Sequence, residues 1–174
     1  ILRLTLGTVM ASKGAIFLYN NQDNQISFLS TRGVEPYDPF KPTKAFLAKL
    51  EKYRNGHAFL KDKEKWITGQ FKKYVSQSKT KVVLPLYHKN NLLGVLCIGE
   101  KFMREEYSSI DIKILEIIAN HLTKALYNYQ LINNVEEKTT EINLKLLELE
   151  TLFDISVAIS SVLDVDELGE EGLW

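Results

Sequence analysis

The fold class is set by residues 81–99, KVVLPLYHKNNLLGVLCIG. Two runs rich in aliphatic residues, Lys81–Tyr87 and Leu92–Gly99, have the composition of buried β-strands. The four polar residues between them, His88–Asn91, predict a hairpin turn. Pro85 has no backbone N–H to donate, which indicates a bulge or a position near the edge of the sheet.

The chain before this hairpin adds more strands and helices of the same domain. Two β-rich runs, Gly14–Tyr19 and Gln25–Ser30, flank the turn-forming cluster Asn20–Asn24 and predict a second hairpin. Helical spacing of apolar residues predicts one helix over 1–11 and another from Thr43 onward. We therefore expect an α+β fold, in which a mostly antiparallel sheet is flanked by helices.

The C-terminal third predicts one long helix that begins after Ser108 or Ser109. Its apolar residues recur at spacings of three and four, and the predicted dimer seam consists of Leu115, Ile118, Leu122, Ala125, Tyr129, Ile132, Ile142, Leu146 and Leu149. A helix much longer than its domain cannot bury such a stripe alone, so we predict a homodimer through this helix. The alternative is that the helix folds back on its own domain.

Three stretches, taken together, resemble a GAF domain, the small sensory module of signalling proteins. They are Ser12–Tyr19 leading to Ser30–Gly33, then Val82–Leu86 with Leu93–Gly99, and finally Tyr107–Asp111. The resemblance covers about residues 1–127 and implies a sensory domain that lacks its first helix. It also implies that residues 128–150 form a linker or signalling helix.

A second resemblance lies at the C-terminal end of the chain. Residues 152–168 look like the opening helix of another GAF domain, which implies a fragment of a tandem-GAF protein, with 151–174 as the start of the second domain. Residues 169–174 depart from the family pattern and have the character of an added tail. The same 152–168 helix gives the hypothesis of a domain-swapped dimer, in which it occupies the vacant first-helix position of a neighbouring chain.

Cyclic-nucleotide-binding members of the family share a pattern of Asn-Lys followed by Phe-x-x-x-Asp-Glu. The matching positions here keep Lys101 and Asp111 but change the other three, so the resemblance argues against cyclic nucleotides. What remains is a predicted structural ion pair between Lys101 and Asp111.

In a GAF-like fold the segment after the second helix would form the lid and wall of a ligand pocket. The ligand-binding candidates are Trp66, Phe71 and Tyr74 as lining aromatics, Lys61 as a cation, and Cys97 on the adjacent strand. The alternative is that the aromatics form a hydrophobic underside, and that Cys97 is a small buried hydrophobe. The three histidines lack ligand spacing, so we expect no metal site, and the sequence names no cofactor.

Charge and composition limit the function further. Residues 41–81 hold 12 basic and 3 acidic side chains, whereas 108–174 hold 4 and 13. The single cysteine suits a cytoplasmic protein. No nucleophile–base pair can be argued from the sequence, so we predict that the chain is not an enzyme. We predict a sensory module without a membrane span that binds a small molecule and relays through a dimeric helix to an output domain. The alternatives are a structural dimerisation module without ligand, and nucleic-acid binding through 41–81.

Overall fold

The computed structural model describes residues 1–59, 67 and 69–171, with only the backbone described for 58–59 and 158–171. Its helices are α1 (Leu2–Thr8), α2 (Lys44–Lys52), α3 (Gly69–Ser78) and α4 (Ser109–Glu171). Its strands are β1 (Gly14–Asn20), β2 (Gln25–Arg32), β3 (Ala58–Phe59), β4 (Val82–His88) and β5 (Asn91–Ile98). The predicted α+β class with an antiparallel sheet and a long C-terminal helix is confirmed.

The strands form one sheet in the order β2-β1-β5-β4-β3, and every pair of neighbours is antiparallel. Both predicted hairpins are present. Strand β3 pairs only with Val82 and Val83, so Pro85 lies where the outer side of β4 has no partner strand in the described chain. A proline there leaves no backbone hydrogen bond of the sheet unmade.

Gly94 allows the two hairpins to join in the middle of the sheet. A Cβ atom built on Gly94 would lie 2.1 Å from the carbonyl oxygen of Phe17 on the neighbouring strand β1. No side chain tolerates such an approach to backbone. The glycine is therefore required by the contact between β5 and β1, and not by its own conformation.

Each face of the sheet carries its own hydrophobic core. One core lies between the sheet and the helices α1 and α4 and includes Leu6, Leu96 and Leu115. The other lies beneath α2 and α3, where the alternate strand residues Phe17 and Val95 meet the helical aromatics. The two-residue side-chain period of the strands separates the two sets.

By its contacts the chain divides into two units, Ile1–Asn128 and Tyr129–Trp174, and α4 contributes to both. In the first unit Leu115 and Leu122 are buried in the domain's own core, with Ile118 packed against it. This corrects the predicted dimer seam, because side chains that face their own sheet cannot also face a second copy. In the second unit the large apolar side chains of α4 up to Val157 are exposed.

No helix among residues 1–59 and 69–171 is long and apolar enough to cross a membrane. The predicted start of a second domain at 151–174 stays a prediction.

Candidate functional site

The face of the sheet beneath α2 and α3 is an aromatic layer centred on Phe17. The ring centroid of Phe17 lies 4.5 Å from that of Phe28, 5.7 Å from Phe71 and 4.9 Å from Tyr74. Phe71 in turn contacts Phe46 of α2 at 4.7 Å, edge to face. Such tilted and edge-to-face contacts are the favourable arrangements for aromatic rings, so the layer is a packed core in its own right.

Two of the predicted ligand-lining residues belong to this layer. Phe71 and Tyr74 are each only 1% exposed, and both point from α3 into the sheet. Their burial fits the alternative interpretation, a hydrophobic underside to the helix, and their role in ligand binding stays a prediction. Trp66 and Lys61, the other two candidates from the same segment, lie outside the described residues.

The hydroxyl of Tyr74 is buried without a hydrogen-bond partner in the described part of the chain. Burial, and to a smaller degree the nearby Cys97 thiol, raise the pKa of Tyr74 above its usual range, although the adjacent hydroxyls of Ser78 and Thr80 lower it in part. The hydroxyls of Ser78 and Thr80 lie nearby but bond to each other, and Ser78 also donates to the carbonyl of Tyr74. A buried polar atom without a partner is costly, so a hydrogen bond to this hydroxyl would stabilise the domain.

Cys97 lies on β5 in the same core and is fully buried. Burial raises the pKa of its thiol well above the usual value. A thiol kept in its neutral form is a poor nucleophile, so its surroundings suit the small buried hydrophobe of the alternative interpretation.

Lys101 and Asp111 form an ion pair, with Lys101 Nζ 2.6 Å from Asp111 Oδ2, and both side chains are largely buried. The same oxygen accepts hydrogen bonds from the backbone N–H and the hydroxyl of Ser108, each at 2.8 Å. Ser108 Oγ in turn accepts from the Asp111 N–H, which caps α4 as predicted. The pair therefore fixes the first turn of α4 to the segment that follows β5.

Two histidines make further connections to α4. His57, in the segment after α2, has its Nδ1 2.9 Å from Glu116 Oε1. The ring of His88, at the end of β4, stacks on Tyr127 with centroids 3.8 Å apart. Glu116 and Tyr127 are eleven residues apart, about three turns, so they lie on nearly the same face of the helix. Sequence reasoning missed both contacts, since no spacing pattern links residues so distant in the chain.

Nucleic-acid binding through the basic segment 41–81 stays a prediction, and the described part of the segment gives it little support. Phe71 and Tyr74, two of the three aromatic residues that could stack on bases, are buried against the sheet, and the third, Trp66, lies outside the described residues. Two of the lysines lie over tyrosine rings instead, Lys49 over Tyr53 and Lys73 over Tyr37, at 5.5 and 4.9 Å. These cation–π contacts hold the lysine stems on the protein surface.

The arrangement of sheet and helices is that of known GAF domains. The chain is similar to the GAF domain of a GAF/HD domain protein from Geobacter sulfurreducens, with a TM-score of 0.60 and 16% identity over 74% of this chain and 88% of the other. It is also similar to the GAF domain of a sensor histidine kinase from Bacillus halodurans, with a TM-score of 0.56 and 19% identity over 76% and 95% of the two chains.

A third similar structure is the GAF domain of a phosphoenolpyruvate-protein phosphotransferase from Coxiella burnetii, with a TM-score of 0.59 and 14% identity over 76% and 81% of the two chains. No protein-family model and no curated protein sequence matches the chain. The structural similarities show the fold. The chain has a GAF-like fold, as its sequence predicts.

Proposed function

We propose that the chain is a non-enzymatic regulatory module of a signal-transduction protein, and that it pairs with a second copy through α4. One of the similar structures is the GAF domain of a sensor histidine kinase, which supports the first part. The observation that carries the second part is the row of exposed apolar residues on α4 beyond Asn128. An apolar row of this length is unfavourable in water, and a partner helix that covers it removes this cost.

The row has the spacing of a two-stranded coiled coil. Alternating steps of three and four residues connect Ile132, Val135, Thr139, Ile142, Leu146, Leu149 and Phe153. Val135 and Thr139 join the two halves of the predicted seam, and the Thr139 hydroxyl donates to the Val135 carbonyl within its own helix. We therefore extend the proposed seam through residues 133–141, where the seam predicted in the sequence analysis has a gap.

The charges beside this seam favour a parallel pair. Lys138 and Lys145 precede seam positions, whereas Glu136 and Glu150 follow them. In a parallel dimer Lys145 of one helix faces Glu150 of the other. In an aligned antiparallel dimer lysine would face lysine and glutamate would face glutamate, which costs free energy.

The contacts between the domain and α4 supply the relay of this proposal. The Lys101–Asp111 ion pair and the His57–Glu116 contact join α4 to segments from two other parts of the domain. A change in either segment would alter the start of α4, and hence the packing of its dimer seam. An output domain on a longer chain would respond to that change in packing.

Disulfide trapping tests the pair and its direction. In a Cys97→Ala background, Leu149→Cys places one thiol on the seam, and Leu144→Cys places one on the opposite, outer side of the same helix. A parallel dimer gives rapid disulfide formation for the seam variant and little for the outer one, because only seam residues face their counterparts across the axis. Equal rates for both variants would exclude the parallel pair, and a monomer in sedimentation would exclude the dimer.

A second candidate function is small-molecule binding in the aromatic layer, favoured by the unpartnered Tyr74 hydroxyl. Native mass spectrometry of the purified chain would show a bound molecule as extra mass lost on activation. A dimer without extra mass supports the purely structural module instead. The domain-swapped arrangement through 152–168 stays a further prediction of the sequence.

A further inference from the structure

The edge strand β2 contains a bulge that redirects its last side chains. Phe28 and Ser30 pair with consecutive residues of β1, so Leu29 is an extra residue in β2. Because strand side chains alternate between the two faces, the extra residue places Phe28 in the aromatic layer but Ser30 and Arg32 on the opposite face. Bulges frequently redirect side chains in this way next to functional sites.

Helix α1 covers this end of the opposite face closely. A Cβ built on Gly14 would lie 2.8 Å from Leu6 Cδ2 and 3.5 Å from Leu2 Cδ1, so α1 rests almost directly on β1. Gly14 is the register partner of Arg32 on β2. The backbone of Arg32 therefore lies next to the part of β1 that α1 covers.

A cavity of about 310 Å³, widely open to solvent, lies between α1 and the end of β2. It is lined by Leu2, Arg3, Ser30, Thr31 and Arg32. Its volume is at the lower end of the range of about 300–1,000 Å³ that small-molecule sites occupy. The cavity is separate from the aromatic layer, since the sheet lies between the redirected side chains and that layer.

Two arginines line this cavity, and neither has a carboxylate within ion-pair distance in the described chain. Two like charges around one small space repel each other, and an anion placed between them reverses the sign of that interaction. The planar guanidinium group binds phosphate oxygens in pairs, which a lysine does not. Ser30 adds a hydroxyl donor, whereas the Thr31 hydroxyl is already bonded to the carbonyl of Val34.

We infer that this cleft binds a small phosphorylated organic molecule. Arg3 and Arg32 hold the phosphate group, the Ser30 hydroxyl donates to one of its oxygens, and the organic part packs against the buried Leu2. Two guanidinium charges match the charge of about −1.5 to −2 on a phosphate monoester at neutral pH. This site is independent of the proposed dimer and of the aromatic layer.

An NMR titration of the full chain tests the inference. The probes are inorganic phosphate and glycerol phosphate, each added at fixed ionic strength. We expect saturable shifts confined to α1 and the end of β2, complete by roughly 10 mM, with tighter binding of glycerol phosphate. Arg32→Gln and Arg3→Gln should each weaken binding about tenfold through loss of a charge-assisted hydrogen bond. Arg104→Gln, at an exposed arginine outside the cavity, is the matched control and should bind as the parent does.

Three results would overturn the site. They are shifts that grow linearly without saturation, an Arg32→Gln variant that binds as tightly as the Arg104→Gln control, and glycerol phosphate no tighter than inorganic phosphate. Thermal unfolding of each variant verifies that the loss of binding comes from the missing guanidinium and not from loss of fold.

Discussion

Lys101 Nζ lies 2.6 Å from Asp111 Oδ2, and this ion pair joins the end of the sheet to the first turn of α4. Burial alone would raise the pKa of Asp111, but the hydrogen bonds from Lys101 and Ser108 outweigh it and hold the pKa below its usual value of 3.8. The carboxylate therefore stabilises the folded state in its charged form.

This lowered pKa predicts an acid-dependent loss of stability. A group with a depressed folded pKa contributes fully above its unfolded value, here near 3.8, and its contribution is lost as the pH falls through the folded value. Asp111→Asn should reduce the free energy of unfolding at pH 7 by about 1–3 kcal/mol, because Lys101 loses its partner. Urea unfolding from pH 7 to pH 3 would measure it. The difference between variant and parent should shrink as the pH falls, and a constant difference would contradict the prediction.

Two glycines should respond in opposite directions to the same substitution. Gly94→Ala would bring a Cβ against the Phe17 carbonyl and should destabilise the fold by at least about 2 kcal/mol. Gly7→Ala, at an exposed position of α1 with no atom within 4 Å of the new Cβ, should stabilise it by about 0.5–1 kcal/mol. Thermal and urea unfolding of the two variants form a matched pair. A stable Gly94→Ala protein would mean that β1 and β5 do not approach as closely as described.

Removal of the Tyr74 hydroxyl distinguishes an empty core from an occupied one. In a core without ligand, Tyr74→Phe deletes an unpartnered polar atom and should raise the free energy of unfolding by up to about 1 kcal/mol. If a water or a ligand atom bonds to the hydroxyl, the same change should lower it. Urea unfolding provides the value, with Tyr129→Phe, at an exposed tyrosine of α4, as the control.

The dimer seam predicts a position-specific effect of charge on α4. Leu149→Glu puts a carboxylate on the seam of both helices and should convert a dimer into a monomer. Leu144→Glu changes a comparably exposed leucine on the outer side and should leave the dimer intact. Analytical ultracentrifugation separates the two results. Dissociation by both substitutions would mean that the contact is not confined to the seam, and dissociation by Leu144→Glu alone would place it on another surface of the helix.

The sequence was sufficient for the sheet, both hairpins and the long helix, because these depend on local patterns of apolar residues. It failed at Leu115 and Leu122, since one apolar stripe on α4 serves the domain core and then a different surface, and periodicity alone does not mark the change. The strand residue Phe17 could have been assigned to the aromatic layer from its alternation with Ala15 and Tyr19. The partners of His57 and His88 depend on contacts between distant segments, which the sequence does not encode locally.

The rate at which a reagent labels the Cys97 thiol can report how often the domain opens. Cys97 is the single thiol in the chain, lies at the centre of the sheet beneath the aromatic layer, and is fully buried. A thiol reagent can reach it only when that side of the domain separates from the strands, so the labelling rate reports how often this happens. The same protein can thus be followed with and without a candidate small molecule, and slower labelling would reveal a stabilising ligand before its binding site is known.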